Sequence, residues 1–334
     1  MKGPTSNSAH PYQNEWYNVI PQIIVLSSME FACIVFVYAC FLILFGSSTM
    51  WRGLGGFLIT LQLFCVSLPM STTPSSLCRQ LGFFCSVVGR DYYPVSTTFI
   101  GPSSTFVPNQ AYLFAYEPHS VLPVGIVAFS PHSPSPLLKR FPWMRNDKIR
   151  ILASSAIFMV PITGHILRWM GVYPIDRSSF KQALEAGVSV CCCPGGMTEC
   201  ITPHEKDEEV ALVKSRYGFV KLAIEAGTPI VPVFAFGQSR SFNSYCPRWI
   251  PGYKSFCKLI RFAPIIFWGR WLTPMPINFP IRVVVGQPIV FTKTLNPSNE
   301  LVEKVHECYV KELIKLHEEN KGKVEGELTK LKIA

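Results

Sequence analysis

The sequence predicts a layered α/β domain preceded by an N-terminal hydrophobic helical hairpin, in a chain of 334 residues. Three observations carry this prediction. Two apolar segments lie near the N-terminus, and short apolar runs alternate with helical patterns from Gln110 onward. Residues 1–78 carry four charges that sum to zero, so the formal net charge of +10 lies on residues 79–334. We therefore expect a polar lead and membrane hairpin over 1–78 and a basic α/β domain over 79–334.

The hairpin is predicted from two apolar runs at about 19–46 and 54–70, joined by a Gly-rich link that contains Arg52. The first run carries one charge, Glu30. The uncharged part of each run is slightly shorter than the ~20 residues of a full transmembrane helix, so the pattern leaves open whether the hairpin spans or re-enters the bilayer. The link is too short to hold a domain, so both ends should face the same side. Two buried core helices are the alternative, but the low charge on both flanks favours the membrane.

Residues 68–108 are rich in Pro, Ser and Thr and contain the short apolar piece "LGFFCSVVG". We expect this transition to lie along the membrane interface. The stretch 253–280 is aromatic, broken by prolines and edged with Lys and Arg. That composition predicts a membrane-interface or lipid-lined surface, with a proline-rich core loop as the alternative.

Six short apolar runs predict the strands of the basic domain, with helices following the third and fourth. The strands are predicted at 111–117, 149–155, 171–177, 188–196, 229–237 and 281–290, and the helices at 178–187 and 218–227. A last helix should begin at an Asn296 cap with Pro297 in its first turn. Its apolar side chains recur at helical spacing and predict packing against the core: Val302, Val305, Tyr309, Leu313 and Leu316.

Composition excludes several classes of protein. Charged residues make up 16% of the chain, against a usual share of about 25%. The 12 cysteines are irregularly spaced, which favours reduced thiols on the cytosolic side over a disulfide framework. Cys193, Cys200 and His204 lack the paired spacing of zinc sites, so no metal is expected. No nucleic-acid motif is visible, and the basic charge is therefore expected to meet an anionic lipid surface or a phosphate-bearing ligand.

The stretch "YEPHSVLPVG" places His119 at the carboxyl end of a predicted strand, where sites cluster in α/β sheets. Pro118 fixes its own φ angle and restricts Glu117 to extended geometry. The backbone is thereby held around a ring that titrates near neutrality, as a general base requires. An isolated histidine is more often structural, so the case for a catalytic His119 depends on the other stretches that lie at strand ends.

Two further strand ends carry candidate groups. In "CPGGMTE", Gly195 and Gly196 allow close backbone approach, their N–H groups are candidate oxyanion donors, and Glu199 follows within reach. In "GVYPIDRSS", Arg177 stands at the start of a helix, a favourable position for an anion.

These motifs, in the order "YEPHS", "YPIDR", "PGG" and "PIVPV", resemble the glycerolipid acyltransferase pattern. The stretches "YEPHSVLPVG", "RYGFVKLAIEAGTPIVPVFAFGQ" and "VVVGQPI" are similar to plant and algal members of the type-2 diacylglycerol acyltransferase family. The resemblance covers about residues 30–334, and "FLILF" at 41–45 is similar to the family's neutral-lipid motif. Animal and fungal members have a histidine and a glycine where this chain has Glu117 and Ser120, which the plant-type members share.

The resemblance implies a glycerolipid-acyltransferase-like fold and the transfer of an acyl group from acyl-CoA to the hydroxyl of diacylglycerol, giving triacylglycerol. His119 would be the general base, with Glu117 and Glu199 as catalytic carboxyl groups. No cofactor is implied, because acyl-CoA is a substrate. The expected partners are acyl-CoA, diacylglycerol, membrane lipids and the lipid-droplet surface, without nucleic acid, and a homo-oligomer remains open. The other implied site residues are Pro118 and Ser120 in the motif, Gly195 and Gly196 at the oxyanion turn, and Arg177, Arg216 and Lys221 for the acyl-CoA phosphates.

Three alternatives to this function remain open. The acceptor could be a monoacylglycerol or a fatty alcohol, the latter giving a wax ester. A hydrolase using Ser120 would need a G-x-S-x-G elbow, which the sequence lacks. A non-enzymatic lipid-binding membrane protein is the third.

Other acyltransferases place an aspartate five residues after the histidine, where this chain has Val124. The partner that orients His119 is therefore not predicted.

The location expected from the resemblance is the endoplasmic reticulum membrane, with lipid droplets as a further site. The catalytic domain and both termini would then face the cytosol. Lys330 and Lys332, in the terminal "KLKIA", are spaced like a dilysine retrieval signal.

Overall fold

The computed structural model describes residues 19–70, 75–132, 135–145, 148–202, 208–211, 213–260, 262–323, 326–327 and 329–334. Its helices, in chain order, are Ile20–Phe45 (α1), Thr49–Ser67 (α2), Ser76–Tyr92 (α3), Pro136–Arg140 (α4), Thr163–Trp169 (α5), Arg177–Glu185 (α6), Gly218–Ala226 (α7), Tyr253–Ile260 (α8) and Asn299–Asn320 (α9). The strands are Val95–Phe99 (β1), Leu113–Glu117 (β2), Ile149–Ala153 (β3), Val172–Pro174 (β4), Ser189–Cys192 (β5), Glu208–Ala211 (β6), Ile230–Phe236 (β7), Asn243–Tyr245 (β8), Ile266–Trp268 (β9), Ile281–Val285 (β10) and Lys330–Ile333 (β11).

Helices α1 and α2 form the predicted hairpin, and both are long and apolar enough to cross a membrane by length and composition. The prediction of the link was wrong. The turn spans 46–48, and Arg52 lies in the first turn of α2, where its Nε donates to the Gly46 carbonyl at 3.1 Å. The helix begins early because the Ser48 hydroxyl caps it. A Cβ on Gly55 would lie 2.6 Å from the Ala39 carbonyl oxygen, so this glycine lets the two helices pack closely.

The 68–108 segment supplies α3 and β1 to the folded domain. Its place along a membrane interface stays a prediction. Helix α3 packs against α1, where Gln22 Nε2 donates to the Gly89 carbonyl at 2.9 Å. Strand β1 pairs in parallel with β10 and forms one edge of the main sheet.

The main sheet has seven strands in the order β1-β10-β7-β2-β5-β3-β4. Strand β2 lies at its centre and pairs in parallel with β5 and β7, whereas β10 runs antiparallel to β7. All six predicted strands are present, and the runs predicted at 171–177 and 188–196 are shortened to β4 and β5. Their last residues form turns at the carboxyl edge of the sheet, which leaves polar and glycine residues there.

Apolar side chains cover both faces of the sheet. One core cluster includes Tyr116 and Phe129, and the other packs α6, α7 and α9 against the opposite face. The predicted apolar stripe of α9 is buried, but its predicted cap was wrong. The Ser298 hydroxyl accepts from the Leu301 N–H at 3.2 Å, so the helix begins after Asn296 and Pro297. The mixed α/β fold with an N-terminal apolar helix pair is thus confirmed. Its likeness to glycerolipid acyltransferases and the boundary between residues 78 and 79 stay predictions.

Two small sheets flank the main one. Strand β11, which carries Lys330 and Lys332, pairs in parallel with β6, and β8 pairs with β9 in an antiparallel hairpin. The retrieval signal predicted for these lysines stays a prediction.

Candidate functional site

The candidate site lies where β2, β5 and β7 end, at the centre of the main sheet. Because the three strands are parallel, the residues that follow them meet at one edge. His119 follows β2, the glycine turn at 195–196 follows β5, and Gln238 follows β7. The sequence order of these motifs thus becomes a spatial cluster.

His119 is held by its backbone as well as by its ring. Its backbone N–H donates to Glu199 Oε2 at 2.6 Å. Ring atom Nδ1 lies 2.9 Å from the Ser120 carbonyl oxygen. A proton on Nδ1 makes that contact a hydrogen bond, and this tautomer leaves the lone pair on Nε2. Ser120 has φ 54°, a left-handed conformation that non-glycine residues rarely adopt, and the carbonyl that meets the ring belongs to this strained residue.

Glu117 and Glu199 form a buried carboxyl pair beneath the histidine. Glu117 is fully buried, and its Oε1 accepts from the Gly195 N–H at 2.8 Å. Burial, followed by the neighbouring Glu199 carboxylate, raises the pKa of Glu117 well above its ordinary value. Burial and the neighbouring carboxylate thus favour the protonated form of Glu117.

The Gly195 N–H, predicted as an oxyanion donor, donates to Glu117 Oε1 in this structure, so its role as an oxyanion donor stays a prediction. Gly195 has a further function in the site. A Cβ there would lie 1.8 Å from Glu199 Oε1, so only glycine lets that carboxylate approach the turn. Gly196, with φ 57°, begins the 3₁₀ helix Gly196–Ile201 and remains the candidate donor of the turn.

The three predicted phosphate-binding residues are not brought together at His119. Arg216 is half-buried, and its Nη2 donates to Thr198 Oγ1 at 2.7 Å and to the Gly195 carbonyl at 3.3 Å. Its guanidinium therefore holds the glycine turn, and its predicted contact with the acyl-CoA phosphates stays a prediction. It also lowers the pKa of Glu117, against the effect of burial.

Arg177 and Lys221 lie further out. Arg177 begins α6 with its side chain 73% exposed, and its Nη2 is 3.8 Å from Glu225 Oε1. The preceding strand β4 is three strands from β2, roughly 14 Å at the usual strand spacing. Lys221 is exposed on α7. Asp176 caps α6 by accepting from the Ser179 N–H at 2.8 Å, and the Ser178 and Ser179 hydroxyls are the main cause that lowers its pKa to about 2.

Sequence reasoning missed Gln238, which is buried directly behind the histidine. Its amide nitrogen donates to the Pro118 carbonyl and, at 3.3 Å, to the His119 carbonyl. Its amide oxygen accepts from the Tyr116 hydroxyl and, at 3.1 Å, from the Gly125 N–H. The side chain thus links the strand end of β2 to the turn of β7. Its place directly after the αL residue Gly237 at the end of β7 is the signal that could have found it.

The cysteines near the site are free thiols. Cys200 Sγ donates to the Ser120 carbonyl at 2.9 Å and lies 3.6 Å from His119 Nδ1. Burial raises its pKa to about 12, so it is not a thiolate nucleophile. Cys191 and Cys192 are buried in β5 and pack into opposite faces of the sheet. His204, considered with Cys193 and Cys200 as a metal ligand, lies outside the described residues.

A second missed group is Glu209 on β6. It is buried, and the Ser239 hydroxyl donates to its Oε2. Burial raises the pKa of Glu209 to about 7, and the Glu199 carboxylate adds to the effect. Glu209 is thus a further buried carboxyl group that Glu199 influences, and the sequence analysis did not indicate it.

Comparison of the sequence with known proteins finds matches among lipid acyltransferases. Residues 61–334 match the family model described as diacylglycerol acyltransferase. The diacylglycerol O-acyltransferase 2 of Bos taurus is 29% identical over 249 residues, covering 70% of this chain and 66% of the relative. The human protein of that name is 29% identical with 62% of its length covered, and that of Dictyostelium discoideum is 29% identical with 72% covered. The chain thus spans less than two thirds of the length of the bovine and human relatives.

One solved structure is also similar. The crystal structure of a 1-acyl-sn-glycerophosphate acyltransferase from Thermotoga maritima superposes with a TM-score of 0.40 at 12% identity, covering 90% of this chain and 97% of that chain.

Proposed function

Because the chain belongs to the diacylglycerol acyltransferase family, we propose that it transfers an acyl group from acyl-CoA to the free hydroxyl of a diacylglycerol, with His119 as the general base. The observation that carries the proposal is the arrangement of His119. Its backbone is fixed by Glu199, and its Nδ1 contact with the Ser120 carbonyl leaves Nε2 to accept a proton. The family resemblance of the motifs agrees with the family match, whereas the plant and algal branch stays a prediction.

In the proposed reaction, Nε2 takes the proton of the acceptor hydroxyl while its oxygen attacks the thioester carbonyl carbon. The tetrahedral intermediate collapses, the carbon–sulfur bond breaks, and the CoA thiolate takes the proton back from the imidazolium. General-base assistance of this kind is typically worth about 10²–10⁴-fold. The Gly196 N–H is the candidate donor to the developing oxyanion.

The carboxyl pair would act through position instead of contacting the substrate. Glu199 holds the His119 backbone through a hydrogen bond from its N–H. Glu117, bonded to the Gly195 N–H, keeps the turn at a fixed distance from the histidine. Arg216 completes this support. Arg177 and Lys221 would meet the CoA phosphates further out, as surface charges.

The hairpin supports a membrane location for the reaction. Ser28 of α1 lies 3.0 Å, oxygen to oxygen, from Thr163 at the start of α5, on the side of the sheet where β3 ends. A hairpin within the bilayer would therefore bring the site edge near the lipid. Placement in the endoplasmic reticulum or on lipid droplets, and cytosolic termini, are part of the proposal, as is the absence of a cofactor.

The test is transfer of labelled oleoyl-CoA to diacylglycerol by membranes from cells that lack their own triacylglycerol synthesis. We expect triacylglycerol from the wild type and a loss of about 10²-fold or more in His119→Ala, at matched protein level. His165→Ala is the matched control, because His165 lies on α5 with its Nε2 at 3.4 Å from the Cys65 carbonyl, outside the site.

Each other outcome is informative. Equal activity in His119→Ala removes the general base but keeps the transferase. Product with monoacylglycerol or a fatty alcohol alone would change the acceptor. Free fatty acid would indicate a hydrolase, and no turnover of any acceptor would leave a lipid-binding protein.

A further inference from the structure

The segment 245–272 exposes large apolar side chains that the rest of the described chain does not cover. Helix α8 buries Tyr253 and Cys257 in a small cluster with Ile201. It leaves Leu259 81% exposed, and Trp249 and Trp271 are 75% and 77% exposed. Several large apolar side chains exposed within one segment make that segment a candidate site of interaction with a partner or a membrane.

The tip of this segment is strained as well as exposed. Trp271 and Leu272 both have left-handed backbones, with φ 56° and 57°. Such conformations cost free energy in non-glycine residues and persist where the surrounding structure enforces them. Two adjacent strained residues thus display two of the most exposed apolar side chains on the domain.

The charged residues within this part of the sequence are of one sign. From residue 226 to residue 299 the sequence contains no Asp or Glu, but eight Lys and Arg residues. Lys254 and Lys258 are exposed on α8 beside Leu259. The Arg270 guanidinium lies 4.7 Å from the centroid of the Trp271 ring. Apolar side chains ringed by cations complement a leaflet of anionic phospholipid, in which the apolar groups enter the acyl boundary and the cations meet the headgroups.

The position of the surface agrees with this partner. Strand β8, helix α8 and strand β9 follow the carboxyl end of β7, so they lie at the same edge of the sheet as His119. The hairpin contacts Thr163, which follows strand β3 at the same edge of the sheet. A bilayer that receives the hairpin would then run past this surface too.

We propose that the surface formed by Trp249, Phe256, Leu259, Trp271 and Leu272, with Lys254, Lys258 and Arg270, inserts into an anionic phospholipid leaflet as a second membrane contact beside the hairpin. The surface is joined to the site by Arg248, whose Nε donates to the Ile201 carbonyl at 3.1 Å at the end of the 3₁₀ helix that carries Glu199. Lipid contact therefore steadies the segment that holds His119. The proposal concerns lipid binding and is tested without the transferase reaction.

The experiment places the photo-crosslinker p-benzoylphenylalanine at position 259 or 271 of the full chain, reconstituted in vesicles of labelled phosphatidylcholine with or without phosphatidylserine that carries the same label. Position 295 is the matched control. Leu295 is 70% exposed, and it follows β10, which ends at the opposite edge of the sheet. We expect several-fold more lipid label at 259 and 271 than at 295. Lys254→Glu with Lys258→Glu should lower the label at 259 by about fivefold or more, because each lysine near an anionic surface contributes about that factor.

Equal label at 259, 271 and 295 would overturn the proposal, as would crosslinks to a protein in place of lipid. Label that does not depend on phosphatidylserine would overturn the anionic leaflet as the partner. Far-ultraviolet circular dichroism of each variant separates loss of fold from loss of contact.

Discussion

The Glu199 carboxylate accepts the backbone N–H of His119 at 2.6 Å, across 80 residues of sequence. It therefore fixes the backbone position of His119, whereas ring atom Nδ1 contacts the Ser120 carbonyl oxygen. A carboxylate in this place differs from the aspartate partner of a catalytic histidine, which contacts the ring. The difference can be measured, because an anchor needs only a hydrogen-bond acceptor.

Replacing Glu199 should distinguish its role as a hydrogen-bond acceptor for the His119 N–H from a role of its negative charge. We expect Glu199→Ala to lower kcat by up to about 10²-fold with little change in the KM for acyl-CoA, since small displacements of a catalytic group have effects of that size. Glu199→Gln keeps an acceptor oxygen and should recover most of the loss. Steady-state kinetics on membranes would check both, with Glu185→Ala on the exposed face of α6 as the control. A Gln variant as weak as the Ala variant would contradict the anchor and favour a role for the negative charge.

Adding one methyl group at Gly195 should lower kcat for the same reason as Glu199→Ala. The new Cβ would lie 1.8 Å from Glu199 Oε1, so the carboxylate must leave its position. We expect Gly195→Ala to express and insert in membranes but to lose at least about tenfold in kcat. Gly218→Ala is the control, because a Cβ there meets nothing within 4 Å. Normal activity in Gly195→Ala would show that the turn and Glu199 move without harm to His119.

Gln238 should be needed for both stability and turnover. Gln238→Met keeps the approximate size but removes the donor to the Pro118 and His119 carbonyls and the acceptor for Tyr116. Buried groups left unpaired cost about 1–3 kcal/mol each, so the thermal unfolding midpoint should fall. We also expect a lower kcat at unchanged KM. The control is Gln182→Met, an exposed position on α6. A change in midpoint without a change in kcat would give Gln238 a purely structural role.

The buried Glu209 should make stability depend on pH. Its pKa is raised from 4.5 to about 7, so the folded chain holds a proton that the unfolded chain releases in that window. Stability should therefore fall as pH rises from 4.5 to about 7, by roughly 3 kcal/mol if the full shift applies. Glu209→Gln should flatten this dependence, and the exposed Glu303→Gln should not. Unfolding midpoints of the purified full chain across the window would check it, and parallel curves for all three proteins would contradict it.

The sequence predicted those strands whose apolar pattern is visible within their own residues. The apolar runs that became β2, β5 and β7 are short and bounded by turn residues, and they put His119 and Gly195 at one edge. Strand β1 was missed because "VSTTF" is polar, short and set in a Pro- and Ser-rich stretch.

Contacts between distant segments were not predictable in the same way. The partner of the Gly195 N–H is Glu117, 78 residues away, and no local pattern marks a backbone donor as already taken. Arg216 looked like a phosphate ligand because sequence gives its charge but not the Thr198 hydroxyl beside it. The cap of α9 was placed two residues early because Asn296 and Ser298 are both good caps, and only the backbone decides between them.

The bonds that span long stretches of chain also bear on how the protein is made. His119 leaves the ribosome well before Glu199, and the Gln238 contact to Pro118 joins residues 120 positions apart. At a synthesis rate of about 5–20 residues per second, several seconds or more pass between the synthesis of His119 and that of Gln238, whose side chain bonds to its carbonyl. The hairpin, by contrast, joins helices that are neighbours in the sequence and can form as soon as it emerges. With the hairpin in the bilayer, as proposed, the nascent chain would be anchored before its site exists, and the chemistry could begin only after the central strands have assembled.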